Sequence, residues 1–405
     1  MEIRTDRRFV AWCAACDWNV DPGEPEEPGG RLDTLRRRLA GKHGERLLAE
    51  VTTDELLRPR RDVASVLALV LALAVHGFTA ALLVGGVLLV VLGWGSALPV
   101  LGALCLFIAW LLRPRFPRLP EDEQVLHRAD APELFALIDE VAGVVGTTGV
   151  HAVAVNAEAN AGVSTYGLRR RRLLTIGLGL WEVLDTGQRI ALLGHELGHY
   201  ANGDTRQGVV LGNALESLNT WYYLLSRIER PTLPETLLNA CYLAPRSVVV
   251  AVATALDHLT LRATQRGEYL ADSYAARCGS TAAAVGLMDA LLVSKSAEAT
   301  LLRESNALRS HRSGRAAGEA ESGLWERLAT HVESIPASEY ERQRRRSALR
   351  GHSVDSTHPP THLRRARLLT VAALPATVNS ARGAALRAEL SGARGLVARR
   401  ILNGG

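Results

Sequence analysis

Lysine is almost missing from this chain: Lys42 and Lys295 are the only two among 47 lysines and arginines. The formal charge of +5 against 42 acids therefore rests on arginine spread along the whole length. A nucleic-acid surface needs clustered positive charge and side chains that read bases, and neither stands out, so no nucleic-acid partner is expected. Cysteine is scarce and odd in number: the five lie at 13, 16, 105, 241 and 278, partly inside apolar stretches. That excludes a readable disulfide framework and makes a reducing compartment the default. The first residues, MEIRTDRRFVAW, lack an apolar segment ending in a small-residue cleavage site, so no removable secretory signal is expected.

Charge itself is absent from one long interval. Between Val63 and Leu112 there is no Asp, Glu, Lys or Arg. As one helix that interval would measure ~75 Å, more than twice the ~30 Å of a bilayer's hydrocarbon core. The expectation is a two-helix transmembrane hairpin over 63–112, turning at Gly93-Trp94-Gly95-Ser96 with Pro99 just beyond. Arg58, Arg60 and Arg61 precede it, Arg113, Arg115 and Arg118 follow it, and the turn has no positive charge. Both ends are then expected in the cytoplasm of a multi-pass cell-membrane protein.

A chain of 405 residues with 47% hydrophobic content can bury a sizeable core in two or three units. Residues 1–62 read as a small cytosolic region with a CxxC pair and a DPGEPEEPGG linker. Residues 119–375 read as the main domain, with a charged, solvated excursion at 303–350, and 376–405 as a helical tail. Within 205–262 the apolar runs are broken by Pro245, Arg246 and Asp257, so they read as helices of the domain or of the membrane surface, with a second transmembrane hairpin as the alternative. Cys13 and Cys16 invite a redox or zinc reading. The 62 residues before the apolar interval are too few for a thioredoxin-like fold, and no second cysteine pair completes a zinc ribbon. A turn with incidental thiols is the simpler expectation. His362 reads as a surface residue and His76 as an interfacial or bundle-facing imidazole.

The segment TGQRIALLGHELGHYANGD repeats Ile190, Leu193 and Leu197 at helical intervals and stops at Asn202-Gly203. His195 and His199 are four residues apart, one turn of helix, and so share a face able to hold one tetrahedral Zn²⁺. Glu196 lies beside them, directed differently, as a general base for an attacking water requires. A catalytic zinc needs a third protein ligand, and Glu268 in TQRGEYLADSYAARC is a candidate, with Asp272 one turn further on the same face to accept a histidine N–H. Alone, such an acidic pair is as well a solvated helix face.

In order, GHELGHYANGD, GEYLADSYAA and STHPPTHLRR resemble the three signature blocks of the HtpX-type and CAAX-prenyl-protease-type zinc metallopeptidases, over roughly residues 120–375. The resemblance implies an α+β, mainly helical, zincin-like domain attached to the membrane hairpin, and a gluzincin site with one Zn²⁺ per chain. By that likeness His195, His199 and Glu268 are the metal ligands, Glu196 the catalytic base, and Asp272 the outer carboxylate. Asn160 and Ala161 match the substrate-facing edge strand, and His358, before Pro359-Pro360, the late His-Pro motif, where it would donate to the oxyanion. The edge motif reads Asn-Ala-Gly-Val where Asn-Ala-Phe-Ala is usual, so cleavage preference does not carry over. The implied function is membrane-anchored endopeptidase action on peptides or misfolded membrane proteins at the lipid bilayer. The alternatives are a noncatalytic assembly protein with structural zinc, or a prenyl-protein endopeptidase, for which two membrane helices are too few.

Overall fold

The computed structural model describes residues 3–4, 6–23, 44, 47–50, 63–113, 117–202, 204–229, 231–310, 314–350, 359–378 and 382–403, with only the backbone described at 3, 204–209, 262, 309–310 and 314–320. Two compact units result, one from Met1–Arg58, Arg118–Asn202 and Gln265–Gly405, the other from Pro59–Pro117 and Gly203–Thr264. The described strands are β1 (Ile3–Arg4), β2 (Trp12–Cys13), β3 (Gln124–Leu126), β4 (Ala152–Asn156), β5 (Ala161–Tyr166) and β6 (Arg171–Gly177). The helices run α1 (Val63–Leu92), α2 (Leu98–Leu111), α3 (Pro132–Val145), α4 (Leu178–Trp181), α5 (Thr186–Ala201), α6 (Asp204–Leu224) and α7 (Leu233–Gly279). They continue as α8 (Thr281–Leu292), α9 (Ser294–Ser310), α10 (Gly314–Glu333), α11 (Ala337–Arg350), α12 (Thr361–Thr370), α13 (Gly383–Glu389) and α14 (Ser391–Asn403). The protein is mostly helical with a small sheet among the described residues, as the resemblance implies.

In the unit containing the uncharged interval, small residues let helices approach: Ala68, Ala72 and Val75 of α1 pack with Ala214 and Leu218 of α6 and Val249 and Leu256 of α7. His76 faces this bundle, its Nε2 3.0 Å from the Val210 carbonyl. Val63, Val84, Val91, Val100 and Phe107 are exposed, the inverse of a water-soluble surface. The expected turn lies between Leu92 and Leu98. Among the described residues, two helices are long and apolar enough to cross a membrane: α1 and α7. The second arm of the expected hairpin, α2, is an apolar helix of 14 residues that starts just past the turn.

The other unit is built on the sheet order β3-β4-β6-β5. β4 runs parallel to β6 and antiparallel to β3, and β5 is an outer strand paired antiparallel with β6. Ala152 to Val155 are buried without alternation because β4 is central and covered on both faces. α3 closes one face through Leu134, Phe135, Leu137, Ile138, Val141 and Val145, the i, i+3, i+4, i+7 stripe of an amphipathic helix. The stretch expected to be a solvated excursion is helical where described. Leu324, Trp325, Leu328 and Val332 of α10, with Ile335, belong to the main core, and Trp325 donates from Nε1 to the Arg394 carbonyl at 3.1 Å.

The charge of α11 is used rather than solvated. Residues 12–21 fold into a tight turn closed by Cys13 N–H donating to Trp18 O at 3.0 Å, with Asp17 and Asn19 at φ 56° and 60°. Cys13 is buried and Cys16 exposed. Arg342 donates to Val20 O at 2.7 Å, Arg345 to Asp17 at 2.6 Å, and Arg346 and Arg350 both hold Asp21. Arg350's hydrogen bond holds the Asp21 carboxyl below its ordinary range, outweighing a slight upward push from burial. A lowered folded-state pKa means that the contact is present above the unfolded value and is lost as pH falls through the folded one. Asp21→Asn at neutral pH should therefore increase amide exchange across residues 12–20 while leaving residues 134–145 unchanged. Wild type should lose the same protection as pH drops below about 4, read as protection factors corrected for intrinsic exchange.

Candidate metal centre

Helix α5 owes its start to Asp185, whose carboxylate accepts from Gln188 N–H at 2.8 Å while the Gln188 side chain accepts from Asp185 N–H at 3.1 Å. This reciprocal cap satisfies two otherwise orphaned donors at the helix N-terminus. From Ile190 to Gly198 every residue is buried, so the helix runs through the core rather than over it. Its approach to α7 requires residues without side chains: a Cβ on Gly194 would lie 3.0 Å from Cys278 Cβ, and one on Gly198 3.1 Å from Ala271 Cα. At the end of α5, Asn202 donates to the Gly267 carbonyl at 3.2 Å, tying the helix terminus to the residue before Glu268.

That crossing brings the expected ligands together. His195 Nε2 and His199 Nε2 are 3.3 Å apart, and each is 3.6 Å from a different oxygen of Glu268. A tetrahedral Zn²⁺ with bonds of about 2.0–2.1 Å separates its ligand atoms by roughly 3.3–3.4 Å, so the donor set and its spacing fit the metal. Among the described residues, this is the only group of three or more His, Cys, Asp or Glu side chains that could hold an ion. His195 and Glu268 are buried, as is Glu196 between the histidines, only 6% exposed.

Asp272 Oδ1 lies 3.1 Å from His195 Nδ1, where it accepts the N–H and directs the Nε2 lone pair toward Glu268. Its own partner is a residue the sequence reading did not single out. Arg364 of α12, 6% exposed, forks onto Asp272 with Nε to Oδ2 at 2.9 Å and Nη2 to Oδ1 at 2.6 Å. Its Nη1 is 3.2 Å from Glu268 Oε2, and its Nη2 3.3 Å from both ring nitrogens of His195. Burial pushes the Asp272 carboxyl up, but the charge and hydrogen bonds of Arg364, with His195, hold it below the ordinary range. Conversely, burial would lower Arg364, yet Asp272 and Glu268 raise it, so the guanidinium stays charged.

Ala161 opens β5, and Asn160 precedes it with its carbonyl accepting from Gly177 N–H at 2.9 Å. β5 packs against α5. Pro359 is buried and Pro360 is the residue before α12. His358 lies outside the described residues. His362, read as a surface residue, is partly buried with Nδ1 3.1 Å from Ser347 Oγ.

Removing one member of a buried, hydrogen-bonded ion pair typically costs about 3–5 kcal/mol, since the partner is left charged and unpaired. Arg364→Met should therefore lower unfolding free energy by about that amount. Arg364→Lys, which keeps the charge without the fork, should fall between it and wild type. Denaturant unfolding of the detergent-solubilised protein checks both.

No curated protein and no solved structure matches the chain. A family model does: that of Peptidase family M48 matches residues 129–372, more than half of the chain. The matched span begins just before α3 and includes β4, β5 and β6, both histidines, Glu268, Asp272 and Arg364. The chain belongs to peptidase family M48, the family of HtpX and CAAX protease-like zinc metallopeptidases.

Proposed function

We propose that the chain is a membrane-anchored, zinc-dependent endopeptidase. The observation that carries this reading is the cluster of His195, His199 and Glu268, whose ligand atoms all lie within 4.8 Å of one another, with Glu196 beside it on the same helix. Three protein ligands with a further position open is the pattern of catalytic rather than structural zinc. His195, His199 and Glu268 would hold one Zn²⁺ per chain, and the metal when bound supplies Lewis acidity toward the scissile carbonyl.

The chain's own residues do the rest. Glu196 takes a proton from the attacking water and returns it to the leaving amine as the C–N bond breaks. Asp272 keeps His195 in the Nδ1–H tautomer, and Arg364 keeps Asp272 ionised and oriented. An extended peptide pairs along the outer edge of β5 from Asn160 and Ala161 onward, held by main-chain hydrogen bonds with little demand on its side chains. His358 remains a candidate oxyanion donor on the likeness of its motif alone.

The apolar interval 63–112, α1 with α2, serves as the membrane anchor and crosses twice, and α7 carries a further long apolar stretch. The arginines flanking 63–112 favour a cytoplasmic N-terminus and catalytic unit. Substrates reached from there are peptides and unfolded segments of membrane proteins, which suits quality control.

Glu196→Gln should reduce casein hydrolysis by about 100–10,000-fold while metal content stays at that of wild type, because the ligands are untouched. Chelator should abolish wild-type hydrolysis. Wild-type turnover in Glu196→Gln would sink the assigned chemistry. For topology, single cysteines at residues 20 and 320 on a Cys-less background should be labelled by impermeant reagent from the same, cytoplasmic side. Labelling from opposite sides would refute the arrangement.

A further inference from the structure

The residue after the second histidine is Tyr200, 5% exposed, and its hydroxyl reaches the sheet. Tyr200 Oη is 2.6 Å from Ser164 O and 2.9 Å from Leu173 O. Ser164 and Leu173 are directly opposite each other on β5 and β6. One phenol on the metal helix thus bridges both carbonyls of a single cross-strand pair. Arg172 covers the ring, its guanidinium carbon 4.4 Å from the centroid, and is itself tied to the Thr147 hydroxyl at 2.9 Å.

The register says which groups this leaves open. In an antiparallel pair, N–H and C=O of alternate residues face the partner strand. Gly177 N–H donates to Asn160 O, so Asn160, Gly162, Ser164 and Tyr166 face β6, while Ala161, Val163 and Thr165 present their N–H and C=O to the outer edge. Tyr200 takes the second lone pair of an inward-facing carbonyl and leaves the outer edge untouched. The start of β5 is held separately: a Cβ on Gly177 would lie 2.4 Å from Asn160 O, a close approach that only glycine permits.

We propose that Tyr200 is a positioning residue that bolts β5 to the metal helix at Ser164 and so sets which bond of a peptide paired with Ala161, Val163 and Thr165 meets Glu196. The proposal rests on the reading that substrate adds to β5. The constraint is severe because backbone pairing alone is sequence-tolerant: a strand that shifts by one pairing step along the edge displaces the peptide by ~7 Å, enough to bring a different bond to the base. Two fixed points on β5, at Asn160 and at Ser164, suppress both sliding and tilting. Loss of the hydroxyl leaves the first and removes the second.

Tyr200→Phe keeps the ring under Arg172 and deletes only the bridge. The test compares it with wild type in three measurements: zinc per chain, amide exchange of the substrate-free protein, and the termini of products from a defined set of unstructured peptides, read by mass spectrometry. Expected are equal zinc, exchange at Gly162, Ser164 and Tyr166 faster by tenfold or more with residues 152–156 unchanged, and a KM raised severalfold with cleavage spread over neighbouring bonds. A mutant with reduced kcat but the wild-type cleavage pattern, or with unchanged exchange across β5, would overturn the proposal. If wild type cleaves none of the peptides, the peptidase reading fails, and the exchange result alone then decides whether Tyr200 secures the strand.

Discussion

The fork of Arg364 on Asp272 is the contact on which the centre depends, since it lets three carboxylates and two imidazoles share a water-poor interior. Burying an ionised carboxylate costs several kcal/mol unless it is paired and hydrogen-bonded. Asp272 meets both conditions through Arg364 and His195. From that pair the order propagates: Asp272 orients His195, and the guanidinium also reaches Glu268. α12 is therefore placed by an electrostatic requirement of α7 as much as by its packing on α8.

A second constraint is the distance between α5 and α7. Histidines one turn apart can share a metal with a glutamate from another helix only if the backbones come close, and Gly194 and Gly198 make that approach. The HExxH spacing is thus half of a pattern whose other half is glycine on the facing side. The phenol of Tyr200 then joins the same helix to the outer strand. One helix faces the carboxylates through its histidines, α7 through its glycines, and the sheet through its tyrosine.

How much of this was legible follows from which signals are local. His195, Glu196 and His199 are read from one helical turn, and Glu268 with Asp272 from a second, so the sequence reading anticipates their meeting. Arg364 was not singled out because arginine at a surface-looking helix reads as solvated. Its signal is that Arg364, Arg367 and Leu368 form the buried stripe of α12, so charge sits where apolar residues are expected. Similarly, 303–350 looked solvated by composition, yet Leu324, Leu328 and Val332 recur at helical spacing beneath that charge. The arginines of α11 read as solvated because Asp17, Val20 and Asp21, which accept from Arg345, Arg342 and Arg346, lie more than 300 residues away in sequence.

Donor chemistry gives a reason for which ion the cluster of His195, His199 and Glu268 could hold. Glu196, Glu268 and Asp272 are buried acids, and both arginines of the buried α12 stripe, Arg364 and Arg367, feel the Asp272 charge. Imidazole and carboxylate donors at tetrahedral spacing then favour Zn²⁺ over Mg²⁺ or Ca²⁺, which take oxygen ligands at higher coordination number. On this view Arg364, which reaches Asp272, Glu268 and His195 at once, fixes the orientation of two of the groups that could hold that ion.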